Sequence, residues 1–202
     1  MLLAIDTAVG TSVAVVDRER GILAERSSAD TRGHAELIGR FIQECLDESG
    51  IAVTELSGVA AGMGPGPFTG LRVGIVAARS FAFGAGTIVV PVASHDAVAF
   101  GVDEPIVVTT DARRREVFYS VYDGTDAAGL PVRTEGPALA KAEGFVVPAG
   151  HRLVEARQIS AASLGLLAEA RYVAGRPFPA DEPLYLRSPD VTISAGPKRV
   201  TG

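Results

Sequence analysis

The sequence predicts an α/β fold of two lobes, each a mixed sheet flanked by helices. Three observations carry that prediction. Three strand-like runs follow one another from residue 2. A helix-period segment and a strand–helix–strand alternation fill 34–93. A second set of strand runs starts near Pro105 and leads to another helical pattern. Alternating strands and helices of this kind build sheets covered by helices.

The elements follow in order. LLAID at 2–6 reads as a buried strand, SVAVVD at 12–17 as a second, and ILAERSS at 22–28 as a third after the Arg20-Gly21 turn. At 34–48 the period changes. Leu37, Phe41 and Cys45, with Ile38, Ile42 and Leu46, form one apolar stripe, while Glu36, Arg40, Gln43 and Asp47 lie opposite. That is an amphipathic helix, which Gly50 closes. GVAAGMG at 58–64 reads as a buried strand, 69–84 as a helix apolar nearly all round, with Thr69 as candidate N-cap and Gly84 and Gly86 ending it. IVVPVA at 88–93 is a strand, and Ser94 is placed to cap SHDAVAFG. In the second lobe, 106–112 and 116–123 read as a hairpin, 124–137 as loop and 145–150 as a short strand. A helix over 159–175 ends at Gly175, and the proline-rich remainder reads as extended.

Composition narrows the function. With 202 residues and 47% hydrophobic content, the chain can bury one domain core or two small ones. A net charge of −5 gives the chain as a whole little grip on a phosphate backbone. A lone cysteine, Cys45, makes no intrachain disulfide and fits a reducing compartment. Asp6 interrupts any apolar leader, and Arg79, glycines and Pro91 break the longest apolar stretch. The expectation is a cytoplasmic protein without a membrane partner.

GMGPGPFTGLR at 62–72 is the most unusual stretch. It satisfies neither common nucleotide motif. No Lys-Ser/Thr pair follows at P-loop spacing, and the two G-x-G starts meet Pro67 or a glycine one residue late, at Gly70. What remains is a strand-to-helix corner whose amides can meet an anion. In the following helix Gly70, Gly74, Ala78 and Ala82 share one face. Such a face lets a backbone come close, either that of its own sheet or that of another helix.

Several stretches taken together resemble one family. They are AIDTAVGTSVAVV, RGHAELI, GVAAGMGPGPFTGLRVGIVAARSFAFG, VPVASHDAVA, TTDARRREVFYSVYD and PLYLRSP. In this order, over most of the chain, they are similar to the TsaB family, also called YeaZ. GPGPFTGLRVG is the most specific, with Pro67 where the family pattern has serine. The resemblance implies an actin-like (ASKHA) ATPase fold of two RNase H-like lobes, at 1–102 and 103–190, with 191–202 as an extended or disordered tail. It implies a role in forming N6-threonylcarbamoyladenosine (t6A) at position 37 of tRNAs that read ANN codons. The implied partners are TsaD, a relative of the same fold, and the ATPase TsaE, with a homodimer when the chain is alone and tRNA reached through the complex.

The same comparison sets expectations for the site. Asp6-Thr7 stands where the fold places an acidic residue after its first strand, and Asp111 opens the place of a D-x-G-G phosphate turn. Ala112, Arg113 and Arg114 stand where glycines would let amides reach phosphates. The three histidines, His34, His95 and His151, lack the H-x-x-x-H spacing of a TsaD-like metal pair. No catalytic residue, cofactor or metal is therefore assigned to the chain, and ATP and metal are expected in partner subunits. Asp6, Thr7 and Asp111 are read as vestiges of a nucleotide site, with Asp6 also accepting turn amides; the alternative for Asp6 is a strand-end cap alone. His34, Leu37, Ile38, Phe41, Gly70, Arg72, Gly74 and Ala78 are the candidate partner face. His34 reads also as a surface cap, and Arg72 and Arg79 as pairing with a carboxylate or lying along apolar surface. Arg113, Arg114 and Arg115 are either a phosphate or TsaE contact or a solvated turn. The rival functions are an ATP-dependent enzyme of the same fold, a kinase or carbamoyl transferase, and a peptidase.

Overall fold

A computed structural model describes residues 1–31 and 33–187; the tail expected at 191–202 lies outside them. Strands β1 (Leu2–Asp6), β2 (Thr11–Asp17) and β3 (Gly21–Ser28) form an antiparallel meander. Strands β4 (Gly58–Gly62) and β5 (Ile88–Val92) join it in parallel, giving the order β3-β2-β1-β4-β5. In the second sheet β6 (Pro105–Asp111), β7 (Glu116–Thr125) and β8 (Pro131–Lys141) repeat the meander. Strand β9 (Arg152–Glu155) pairs in parallel with β6, so the order β8-β7-β6-β9 copies the first four strands of the other sheet. The mixed sheets and flanking helices are those of the expected fold class.

Pleating assigns the helices to faces of the first sheet. Helices α1 (His34–Ser49) and α2 (Phe68–Ala85) cover the face of Leu3, Ile5 and Thr7: Cys45 Sγ reaches Val13 O, and Thr7 Oγ1 donates to Gly70 O at 2.8 Å. The opposite face carries α4 (Ala161–Val173), where a Cβ on Gly165 would meet Val16 and Ala4. Helix α4 is thus fixed to the first sheet, although it lies in the chain after the second. Its N-terminus explains why. Ser160 caps it, and the Glu25 carboxylate accepts from Ser160 Oγ at 2.8 Å and Ala162 N at 3.1 Å. Anionic oxygens are stabilised at a helix start, so β3 supplies the anchor. Helix α3 (Ser94–Ala99) sits between α4 and the second sheet. The main core is the first sheet with α1, α2 and α4; a small second cluster holds Ala99, Ile106, Val108 and Tyr122.

Gly50 and Gly86 close α1 and α2 with φ of 66° and 67°, the conformation that favours glycine at a helix end. Other local expectations need correction. Pro67, not Thr69, is the N-cap of α2, and Gly84 lies inside that helix. Ala93 precedes α3, which frees the Ser94 hydroxyl for other partners. The stretch 124–137 is not all loop, because β8 starts at Pro131. The strand expected at 145–150 lies at Arg152–Glu155 instead, where β6 offers an open parallel edge.

Candidate functional site

Two hollows bear on the candidate site. The first is a cleft of about 550 Å³ between the sheets, lined by Ala8, Val9 and Pro67 on one side and by Thr110, Asp111, Arg113, Arg115 and Val117 on the other. Arg157 and Glu155 border it too. The second is an apolar groove of about 710 Å³ between α1 and α2.

The three residues read as nucleotide vestiges do not meet in the cleft. Asp111 is exposed at its wall. Thr7 is buried and faces α2. Asp6 is buried on the other side of β1, where its carboxylate accepts from Ala8 N at 2.8 Å and from Ser94 Oγ at 2.5 Å. Ser94 Oγ in turn accepts from Gly64 N at 3.0 Å, which ties β1, the glycine-rich corner and α3 together. Burial raises the Asp6 carboxyl to about 6, and the bonds from Ser94 and Ala8 only partly offset that.

At the β6–β7 turn Arg113, Arg114 and Arg115 have φ of 64°, 54° and 61°. The turn keeps the left-handed backbone that glycine favours, yet carries three long side chains. Each such residue costs about 1–2 kcal/mol. The Arg113 guanidinium extends to Thr31 Oγ1 at 3.1 Å and lies 3.6 Å from Asp111, so it bridges the two sides of the cleft.

The partner-face candidates divide. Gly70, Gly74 and Ala78 are buried against their own sheet. A Cβ on Gly70 would lie 3.0 Å from Thr7 O, and one on Gly74 would collide with Thr7 Oγ1. The small-residue stripe is therefore used inside the chain, although Gly70 also lines a hollow of about 460 Å³ with Thr7, His34 and Arg113. His34 is also interior, its Nδ1 lying 2.8 Å from Thr11 Oγ1, and burial lowers its pKa. Phe41 belongs to the core and Leu37 packs against it. Ile38 and Arg72 do line the groove, together with Ile42, Val73, Val76 and Phe81. Arg72 stacks on Phe68 with its guanidinium carbon 5.2 Å from the ring. Arg79 pairs with Asp181 at 2.9 Å, so the expected carboxylate partner is within the chain.

Sequence reasoning missed the polar cluster around α3. His95 Nδ1 lies 2.9 Å from Ser120 Oγ, and His95 Nε2 lies 3.0 Å from Thr110 Oγ1. Next to it Asp96 accepts from Tyr122 OH at 2.8 Å and from Arg133 at 3.0 Å. The serine–histidine pair is sealed from solvent, with both ring nitrogens committed. Burial, aided by the Arg133 charge, lowers His95 to about 3. A neutral, enclosed imidazole of this kind ties α3 to the sheet and meets no substrate. Its only sequence signal was a polar pair opening a short helix. Among the described residues no group of His, Cys, Asp and Glu could hold a metal ion. No helix among them is long and apolar enough to cross a membrane.

Comparison with known proteins gives these features a family. Residues 7–154 match the model described as TsaD: tRNA N6-adenosine threonylcarbamoyltransferase. An uncharacterized protein of Mycobacterium tuberculosis is 37% identical over 94% of this chain and 92% of its own length. The tRNA threonylcarbamoyladenosine biosynthesis protein TsaB of Escherichia coli is 32% identical over 70% of this chain and 63% of its own. YeaZ from Pseudomonas aeruginosa superposes with a TM-score of 0.76 at 25% identity, over 92% of this chain and 99% of that one. The chain therefore belongs to the family of that model, on its TsaB/YeaZ side, and shares its actin-like ATPase-type fold.

Proposed function

We propose that this chain takes part in t6A formation as a partner subunit without catalysis of its own, pairing with a TsaD-type enzyme through the groove between α1 and α2. The observation that carries this reading is the groove itself. Ile38, Ile42, Val73, Val76 and Phe81 border it, and Val76 keeps 56% of its surface exposed. Phe83, further along α2, is 89% exposed. Apolar side chains in that arrangement form the kind of centre that protein interfaces bury. The Arg72 guanidinium, resting on Phe68 at its end, adds a residue type enriched at interface hot spots.

Support for the absence of catalysis comes from the cleft. Arginine side chains occupy the turn that would approach phosphates, and the Asp6 carboxylate is spent on internal bonds. ATP and metal then belong to the partner subunits, including a TsaE-type ATPase. An enzyme of its own, whether kinase or carbamoyl transferase, would have to use Asp111 or Glu155, the acids exposed at the cleft. The test is co-expression with the TsaD-type protein, with pairing read by size exclusion and modified tRNA by mass spectrometry. A 1:1 complex that modifies tRNA only when this chain is present supports the reading. Turnover of ATP by the purified chain alone defeats it.

A further inference from the structure

We propose that the Arg113–Arg115 turn, with Arg157, is a rigid cationic contact for the phosphate backbone of the tRNA substrate, a proposal that rests on the function read above. The observation is that three successive arginines hold a left-handed backbone, at φ 64°, 54° and 61°. Glycine adopts this conformation without steric strain, and arginine does not. Strain of this kind persists where the surroundings impose it, and it concentrates at working sites.

The surroundings do impose it. Arg113 N donates to Asp111 Oδ1 at 2.8 Å, and Ala112 N to Glu116 O at 3.0 Å. Arg115 O accepts from Ala142 N at 2.9 Å. From the C-terminal segment, Arg187 donates to Ala112 O and to Glu116 Oε2, both at 2.6 Å. That segment is itself laced to the glycine-rich corner, through Leu184 N to Met63 O at 2.8 Å and through Tyr185 against Phe68 at 4.7 Å. A backbone held this firmly carries its guanidinium groups with less freedom to lose on binding.

Charge at the cleft favours an anion more than the net charge of −5 suggests. Arg113 sits beside Asp111, and Arg187 neutralises Glu116. Arg115 and Arg157 are exposed at the rim of the cleft, which Glu155 also lines. Guanidinium forks match phosphate oxygens two at a time, and a row of them follows a backbone of repeated phosphates. An acidic protein surface is the competing occupant.

The test uses the full chain, alone and co-purified with the TsaD-type partner, and an unmodified tRNA transcript as the probe. Binding is measured by fluorescence anisotropy across a salt series. The expected result is affinity that falls steeply with salt. Arg157→Ala weakens it several-fold and lowers the salt slope by about one. Arg115→Gly does the same while raising the melting temperature, because glycine relieves the strain; Arg115→Lys keeps the slope. Opposite signs for stability and binding are what a merely structural turn does not produce. Unchanged affinity and slope in Arg157→Ala and Arg115→Gly, or no salt-dependent binding by either form, overturns the proposal. So does loss of the protein partner with tRNA binding intact, which would make the turn a protein contact. Size exclusion on the same samples keeps the two readings apart. A wild-type chain that fails to pair defeats the proposed function, while tRNA binding by the chain alone still decides this one.

Discussion

Gly74 lacks a side chain because Thr7 stands where one would go. Gly74→Ala forces the two apart in a packed layer and is expected to cost about 1–3 kcal/mol, as overpacking does, in chemical denaturation. Two buried titratable side chains set a pH dependence. Asp6 rises to about 6 from its ordinary 3.8, so the folded state binds a proton that the unfolded state releases. Its burial penalty is relieved, and stability gained, as pH falls from about 6 towards 3.8. His95 falls from 6.5 to about 3, so the unfolded state takes the proton first. Its contribution is lost as pH falls through that window. Between pH 7 and 5 His95 outweighs Asp6, with about 2 kcal/mol lost through His95 and about 1 gained through Asp6, so stability falls on balance. Unfolding of Asp6→Asn should therefore become more sensitive to mild acid, and that of His95→Gln should reverse sign; unchanged profiles would contradict the burial of both groups. Little of this was legible in the sequence. A histidine after a serine at a helix start looks the same whether it is open or sealed, and only the second sheet closes over His95. The small stripe of α2 was visible, but periodicity could not tell a sheet from a partner helix.

At the scale of elements, α1 and α2 separate a folding face from a docking face. Their inner faces pack on the first sheet, α1 on β2 and β3 and α2 on β4, β1 and β5, and the outer edges leave the apolar groove. Val76→Glu places a charge in that groove without touching the core. It is expected to abolish pairing while leaving the melting temperature within about a degree or two of wild type, since surface substitutions shift stability by less than about 0.5 kcal/mol. Loss of folding in that variant would mean that Val76 serves the chain's own packing. The C-terminal segment carries another prediction. Arg187→Ala leaves Ala112 O and Glu116 without a partner from that segment, and amide exchange across 112–116 should quicken while α4 stays protected. The first meander and α1 were readable because their apolar periods are clean. Strand β8 was not, because Pro131, Gly136 and Pro137 interrupt it, and Gly136, at φ 83°, bends it close over Tyr119 O. Strand β9 was misplaced because its exposure pattern carries no alternation.

For the whole molecule, the repeated strand order of the two sheets is the physical content of the fold class. The second sheet has its helix α3 in common with α4, which is anchored on the first, so the lobes are joined through shared packing as well as through the chain. The sequence order suggested two successive units, and strand and helix periods cannot reveal that a late helix returns to an early sheet. The proposed function rests on which side chains face outward. Asp6, Ser94 and His95 are turned inward, while Val76, Phe83, Arg115 and Arg157 are turned out. The most direct measurement is t6A formation by the TsaD-type partner, reconstituted with the wild-type chain, with Val76→Glu and without the chain, pairing being read on the same samples. The account predicts modified tRNA with the wild-type chain and none in the other two. Full modification with Val76→Glu, in samples where no complex forms, would contradict it.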